Sequence, residues 1–123
     1  MRDQSSKEQR RAKKESLVRK ELSKLLLQIK QDDSRFDDIF IHRVNLSPDK
    51  SCIRVFFYSH KGEDFFNEKL PLLILYKPSI RKALSQAIPS RYTPEIIFKY
   101  DKNFEKQCRI ELLLDKIKKE DKS

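Results

Sequence analysis

Apolar residues recur along this chain with two different periods, and the switches between them mark out its elements. Val18, Leu22, Leu25 and Ile29, with Leu26 beside them, repeat at helical spacing through KEQRRAKKESLVRKELSKLLLQIK, a segment without Gly or Pro. That pattern predicts a long first helix, with Ser6-x-x-Gln9 offering a capping box at its start. The stripe is absent before Leu17, so the first turns, with Lys7, Arg10, Arg11, Lys13 and Lys14, are expected to project from the body. Their plain alternative is a fraying terminus.

After a polar link, QDDSRFDD, the period changes to two. IFIHRVNL and SCIRVFFYS read as strands joined by Ser47-Pro48-Asp49-Lys50, where Pro at the second position suits a type I turn. In the second strand Ile53, Val55 and Phe57 form an apolar face and Arg54, Phe56 and Tyr58 an aromatic, basic one. The latter could stack bases, or its rings could pack under a helix. EDFFNEKLPLLILYK predicts a second helix starting near Gly62 or Asp64. An interior Pro71 is expected to divide or bend it near Leu70.

The stretch from Pro78 to Asp101 combines a break, a basic helix, a second break and a strand. Pro78 disfavours the α region for Lys77, so the chain should bend there and a new helix open at Pro78 or Ser79. Ile80, Leu84, Ala87 and Ile88 share one face of that helix and turn Arg81, Lys82 and Ser85 outward. Pro89 and Pro94 bracket an irregular segment with Arg91 and Tyr92, and IIFKY reads as a third strand. Asp101 or Asn103 then caps a last helix whose Ile110, Leu113, Leu114 and Ile117 share a face, followed by the polar tail KKEDKS. The order is α-β-β-α-kink-α-β-α, an α+β class, in one domain over residues 16–117 with a basic helical extension at 1–15 and a tail at 118–123.

Charge adds a partner class to this frame. Residues 1–30 carry a net +6 and residues 71–100 a net +4, against −2 for 31–70 and +1 for 101–123. Positive charge gathered into two segments favours a polyanion, most often nucleic acid; a surface that only keeps the chain soluble is the alternative. The longest apolar run, LPLLILY, is far short of the roughly 20 residues of a membrane span. No apolar targeting segment follows the basic start, and Cys52 and Cys108 fit neither a metal cluster nor a disulfide framework. A reducing cytoplasm with both thiols free is therefore expected.

Chemistry is sparse. His42 and His60 share no metal-ligand spacing, and the adjacent carboxylates Asp32-Asp33 and Asp37-Asp38 point in different directions. No nucleophile motif is present, and one glycine, Gly62, rules out a phosphate-cradling loop as well as a G-x-x-G RNA clamp. The reading is a non-enzyme without cofactor, metal or small-molecule substrate. A small nuclease has no catalytic cluster to support it.

Several segments in order resemble the ribosome-binding factor A family of bacteria. Ile80-Arg81, Arg91-Tyr92-Thr93-Pro94-Glu95-Ile96-Ile97-Phe98, Tyr100-Asp101 and Arg109-Ile110-Glu111 with Leu112-Leu113 are similar to its run of I-R, R-x-x-P-E-L-x-F, Y-D and R-I-x-x-L-L. Val44-Asn45-Leu46-Ser47-Pro48-Asp49 with Val55 is similar to its V-x-x-S-x-D hairpin, and the likeness spans about residues 8 to 117. The resemblance implies a KH-like, type II domain, with a three-stranded sheet packed against helices and no G-x-x-G loop. That family has an Ala-x-Gly kink where this chain has Tyr76, Lys77 and Pro78. Also implied are binding to free small (30S) ribosomal subunits in late assembly, help in maturing the 5′ end of 16S rRNA, and a role in growth at low temperature. The expected form is a cytoplasmic monomer that meets no membrane. Candidate RNA contacts are Arg10, Arg11, Lys13 and Lys14 on the first helix, Lys77, Arg81 and Lys82 around the kink, and Arg91 in the loop. The other class of function is a basic protein-interaction module that binds an acidic protein.

Overall fold

Val18, Leu22 and Leu26, spaced four apart, are each at most 6% exposed, because they form the one apolar stripe of the first helix and close against the sheet. The computed structural model describes residues 2–49, 51–87 and 94–121. Helix α1 (Arg2–Asp32) is followed by strands β1 (Phe40–Leu46) and β2 (Cys52–Tyr58), helices α2 (Glu63–Ile74) and α3 (Lys77–Ala87), strand β3 (Glu95–Tyr100) and helix α4 (Lys102–Asp121). The α+β order is the expected one. The first helix starts earlier than the capping box at Ser6 suggested, at Arg2, since nothing in RDQSS breaks a helix already favoured downstream.

The sheet has the order β1-β2-β3, with β1 and β2 antiparallel and β2 and β3 parallel. Parallel neighbours need a long crossover, which α2 and α3 supply. Ile53, Val55, Phe57, Ile96 and Phe98 face the helices and are at most 9% exposed. Phe36 is fully buried too, so the polar link is part of the core: a single 3₁₀ turn, Ser34–Phe36, drops its one aromatic inward, where its ring meets Tyr76 edge-on at 5.8 Å.

Two breaks differ from expectation. Helix α2 runs through Pro71 instead of dividing near Leu70. The proline is exposed, and so is Asn67, whose carbonyl loses its helical donor. The break comes instead at Leu75-Tyr76, where Leu75 and Tyr76 donate to the carbonyls of Leu72 and Leu73 and tighten the last turn. Pro78 then sits in the first turn of α3, the position where its missing N–H costs nothing. The chain thus breaks between two helices as expected, but at Leu75-Tyr76 and not at Pro78, and Lys77, expected outside the α region, is the first residue of α3. Ile88, Pro89, Tyr92 and Lys50 lie outside the described residues.

Strand β1 carries a bulge: Ile41 pairs with Phe57 and Arg43 with Phe56, leaving His42 between them. Ile41 keeps its place on the helical side while His42 and Arg43 both emerge on the other face. Helix α4 departs most from expectation. Its Ile110, Leu113, Leu114 and Ile117 do share a face, but each is more than half exposed. The helix continues through the polar residues to Asp121.

Candidate nucleic-acid interface

Of the cations singled out from the sequence, those within the described residues stand on α1 and α3, two helices that pack against each other. On α1, Glu15 accepts a hydrogen bond from the Leu46 N–H at 3.0 Å, which fixes the helix at the level of the β1–β2 turn. Residues before it have no buried side chain among those described. Arg10 and Lys13 are exposed; Lys14 is half-buried, as is Arg11, which stands 4.0 Å from Glu15 one turn on. A half-buried pair at the 4.0 Å limit holds little energy and leaves the guanidinium able to meet a phosphate.

On α3 the anchors are Ile80 and Leu84, both 5% exposed, and this orientation turns Arg81 and Lys82 to solvent. Among the described residues no carboxylate lies within 4.0 Å of Arg81, Glu95 included. Lys77 differs from them. Its ammonium lies 5.2 Å from the centre of the Phe98 ring and the residue is half-buried, so it is engaged at the rim of the core. Arg91 is outside the described residues. The structure thus puts the α1 cations and the pair Arg81 and Lys82 on neighbouring helices without joining them into one cluster.

A second group was not anticipated from the sequence. Asp101, 2% exposed, accepts hydrogen bonds from the Phe104 N–H at 3.2 Å, from His42 Nδ1 at 3.0 Å and from Arg43 Nε at 3.0 Å. Burial alone would raise its pKa, but those three bonds and the Arg43 charge outweigh it and hold the carboxyl below its ordinary value. The His42 ring stacks on Phe104 at 3.7 Å, and Phe104 meets Tyr58 edge-on at 4.9 Å. The Arg43 guanidinium carbon lies 4.0 Å from the centre of the Phe56 ring. The signal for this group was present in the apolar spacing of β1: Ile39, Ile41, Val44 and Leu46 break the period of two by one residue, which is the bulge.

Several other charged groups are paired. Asp33 grips Arg35 through both carboxylate oxygens, which lowers its pKa, and Asp38 meets Lys61 at 2.9 Å and His60 at 3.7 Å. In the β1–β2 turn Asp49 accepts from the Ser51 hydroxyl, the Ser47 hydroxyl and the Ser51 N–H, and its pKa is held at about 2. A cleft between the start of α2 and α4 is lined by Lys102 with Glu63, 3.4 Å apart, and Arg109 with Glu105. Among the described residues no group of three or more His, Cys, Asp or Glu is placed to hold a metal, and no helix is long and apolar enough to cross a membrane.

Comparison with known proteins gives a single answer. The description of the matching family is "Ribosome-binding factor A", and the match covers residues 10–114. The ribosome-binding factor A of Halothermothrix orenii is 33% identical over 117 residues, 95% of each chain. That of Coxiella burnetii is also 33% identical over 117 residues, 94% of this chain and 95% of its own. The crystal structure of ribosome-binding factor A from Thermus thermophilus superimposes with a TM-score of 0.63 at 21% identity, covering 73% of this chain and 93% of that one. The fold they share is KH-like.

Proposed function

This chain belongs to the ribosome-binding factor A family, and from that premise we propose that it is a ribosome assembly factor. It binds the free small (30S) subunit through 16S rRNA and assists late maturation of the 5′ end of that RNA, a role that matters most for growth at low temperature. It acts in the cytoplasm as a monomer and by binding, without catalysis. The observation that supports this reading is the placement of positive charge. Arg10, Arg11, Lys13, Lys14, Arg81 and Lys82 stand on two helices packed side by side, with Lys77 at their rim and Arg91 next in the chain.

Lys and Arg displace the counterions of an RNA backbone and supply affinity that falls with salt, while the shape of folded RNA supplies selectivity. Arg81 offers a planar fork suited to a phosphate. The test is cosedimentation with free small subunits, mature subunits and assembled ribosomes. Preference for the free small subunit is expected, and equal binding to all three would reduce the reading to nonspecific attraction. Arg81→Ala should weaken that binding and lower the magnitude of the log-affinity versus log-salt slope by about 1, with melting unchanged. A fall in melting temperature beside an unaltered slope would remove Arg81 from the site.

The second reading, a module for an acidic protein, draws on α4, where Leu112 and Leu113 are exposed beside Arg109, Lys116 and Lys119. Under it, ribonuclease treatment of the complexes would leave binding intact.

A further inference from the structure

The sheet has two faces, and the helices α1, α2 and α3 cover only one. On the other, Phe104 at the start of α4 closes the end of the sheet against His42 and Tyr58; of the rest, Arg43, Asn45, Arg54 and Lys99 are exposed and Phe56 and Ile97 half-buried. The strand register sets its side chains in rows. Asn45, Arg54 and Ile97 lie side by side across β1, β2 and β3, and Arg43, Phe56 and Lys99 form the next row. Neighbouring strands are about 4.8 Å apart and rows about 7 Å apart, so three cations surround one ring within a patch the width of the sheet.

Two properties of the patch point to a ligand. Arg54 and Lys99 are exposed, and among the described residues neither has a carboxylate within 4.0 Å. Like charges on one face of a sheet repel, and an anion laid across them removes that cost. Arg43, in contrast, is held in place. The buried Asp101 takes its Nε at 3.0 Å while the guanidinium lies 4.0 Å from the centre of Phe56. The guanidinium is therefore held over the Phe56 ring, and Nε is the nitrogen that Asp101 engages. A fixed guanidinium plane on an aromatic ring is a surface on which a nucleobase stacks, and flanking cations fit the phosphates of the same strand.

We propose that the open sheet face around Arg43, Arg54, Phe56 and Lys99 binds an unpaired stretch of RNA, one base stacking on the Arg43–Phe56 pair and the backbone following Arg54 and Lys99. The proposal rests on the reading of the protein as an rRNA binder and adds a contact on the side opposite α1 and α3, selective for single strands. An acidic protein would also match the charge but has no use for the fixed planar stack, and it becomes an outcome of the test.

Fluorescence anisotropy with a labelled oligo(A) RNA of about ten nucleotides, beside a hairpin duplex of similar length, decides the matter. Arg43→Lys keeps the charge and loses the plane; Phe56→Leu keeps apolar volume and loses the ring. Each should weaken oligo(A) binding about tenfold, the range for loss of one stacked base, and change duplex binding by less than about twofold. Phe56→Tyr should restore it, which a merely unfolded variant would not. Lys99→Gln should flatten the salt dependence for oligo(A) alone, and Arg81→Ala should weaken duplex and small-subunit binding while sparing oligo(A). Oligo(A) bound no more tightly than duplex, unchanged affinity in Phe56→Leu with native melting, or displacement of oligo(A) by poly-glutamate as effective as by unlabelled RNA would each overturn the proposal. Loss of small-subunit cosedimentation with Phe56-dependent oligo(A) binding intact would refute the assembly reading and uphold this one.

Discussion

Asp101 joins the end of β3, the first turn of α4 and the bulge in β1, so its replacement can be worked out bond by bond. Asp101→Ala removes an N-cap, worth about 1 kcal/mol, and the hydrogen bonds from His42 and Arg43. A bond to a charged acceptor is worth about 1.5–3 kcal/mol when buried. Here the two donors are 36% and 47% exposed and regain water on release, so about 0.5–1 kcal/mol each is the fair figure. The expected loss is about 2–3 kcal/mol at neutral pH. Asp101→Asn caps the helix as well as Asp does and should lose only the charge component, about 1 kcal/mol. With a urea m-value near 1.5 kcal/mol/M, the Ala variant should unfold about 1.3–2 M earlier by far-UV circular dichroism, and Asn under about 1 M earlier. The pH response gives an independent check. The Asp101 pKa is depressed in the folded state, so its contribution is present above the unfolded-state value of about 3.9 and is lost as pH falls through the folded value. The gap between wild type and Asp101→Asn should therefore narrow on acidification below about pH 4. A gap that is constant with pH, or equal losses in Ala and Asn, would refute this account of the cluster.

Gly62→Ala should destabilise by about 1–3 kcal/mol in the same assay, because Gly62 holds φ 96° and ψ 175°, a region reserved for glycine, although nothing lies within 4 Å of an added Cβ. Pro71→Ala restores a helical N–H opposite the exposed Asn67 carbonyl and should stabilise by about 1–2 kcal/mol, read as a higher urea midpoint. Leu113→Ser, on the exposed face of α4, should change stability by less than about 0.5 kcal/mol; a larger loss would mean that this face is packed in solution. Deleting residues 1–14 should leave cooperative unfolding intact and lower the salt slope of small-subunit binding by about 0.9 for each phosphate that the deleted cations had neutralised.

The strands were legible because one apolar face forces strict alternation, and β2 obeys it at Ile53, Val55 and Phe57. That two helices part near Pro78 was legible because proline has few permitted settings, but the place was not: the break falls at Leu75-Tyr76 and Lys77 is helical. Phe36 was not: a single aromatic in a polar run has no periodicity to mark it, and only a 3₁₀ turn brings it inward. Nor could the period of Ile110, Leu113, Leu114 and Ile117 say that the face stays more than half exposed among the described residues, since amphipathicity reports a preference and not a neighbour. The same limit holds at the candidate interface. Charge along α1 and α3 is a sequence property, but that Lys77 turns to Phe98 while Arg81 turns to solvent depends on the phase of a helix against its core.

The parallel pairing of β2 with β3 also has a history in time. Leu46 and Ile53 meet across a short turn, whereas Ile53 must wait for Ile96, which is 43 residues further on. At a synthesis rate of about 5–20 residues per second, the second edge of the central strand stays open for several seconds in every molecule made. During that interval Ile53, Val55 and Phe57 belong to an unpaired apolar edge of the kind that joins chains together. The outward Arg54 between them is then a gatekeeper, and a neutral β-former there would be tolerated by the finished fold yet would lower the soluble yield from the newborn chain.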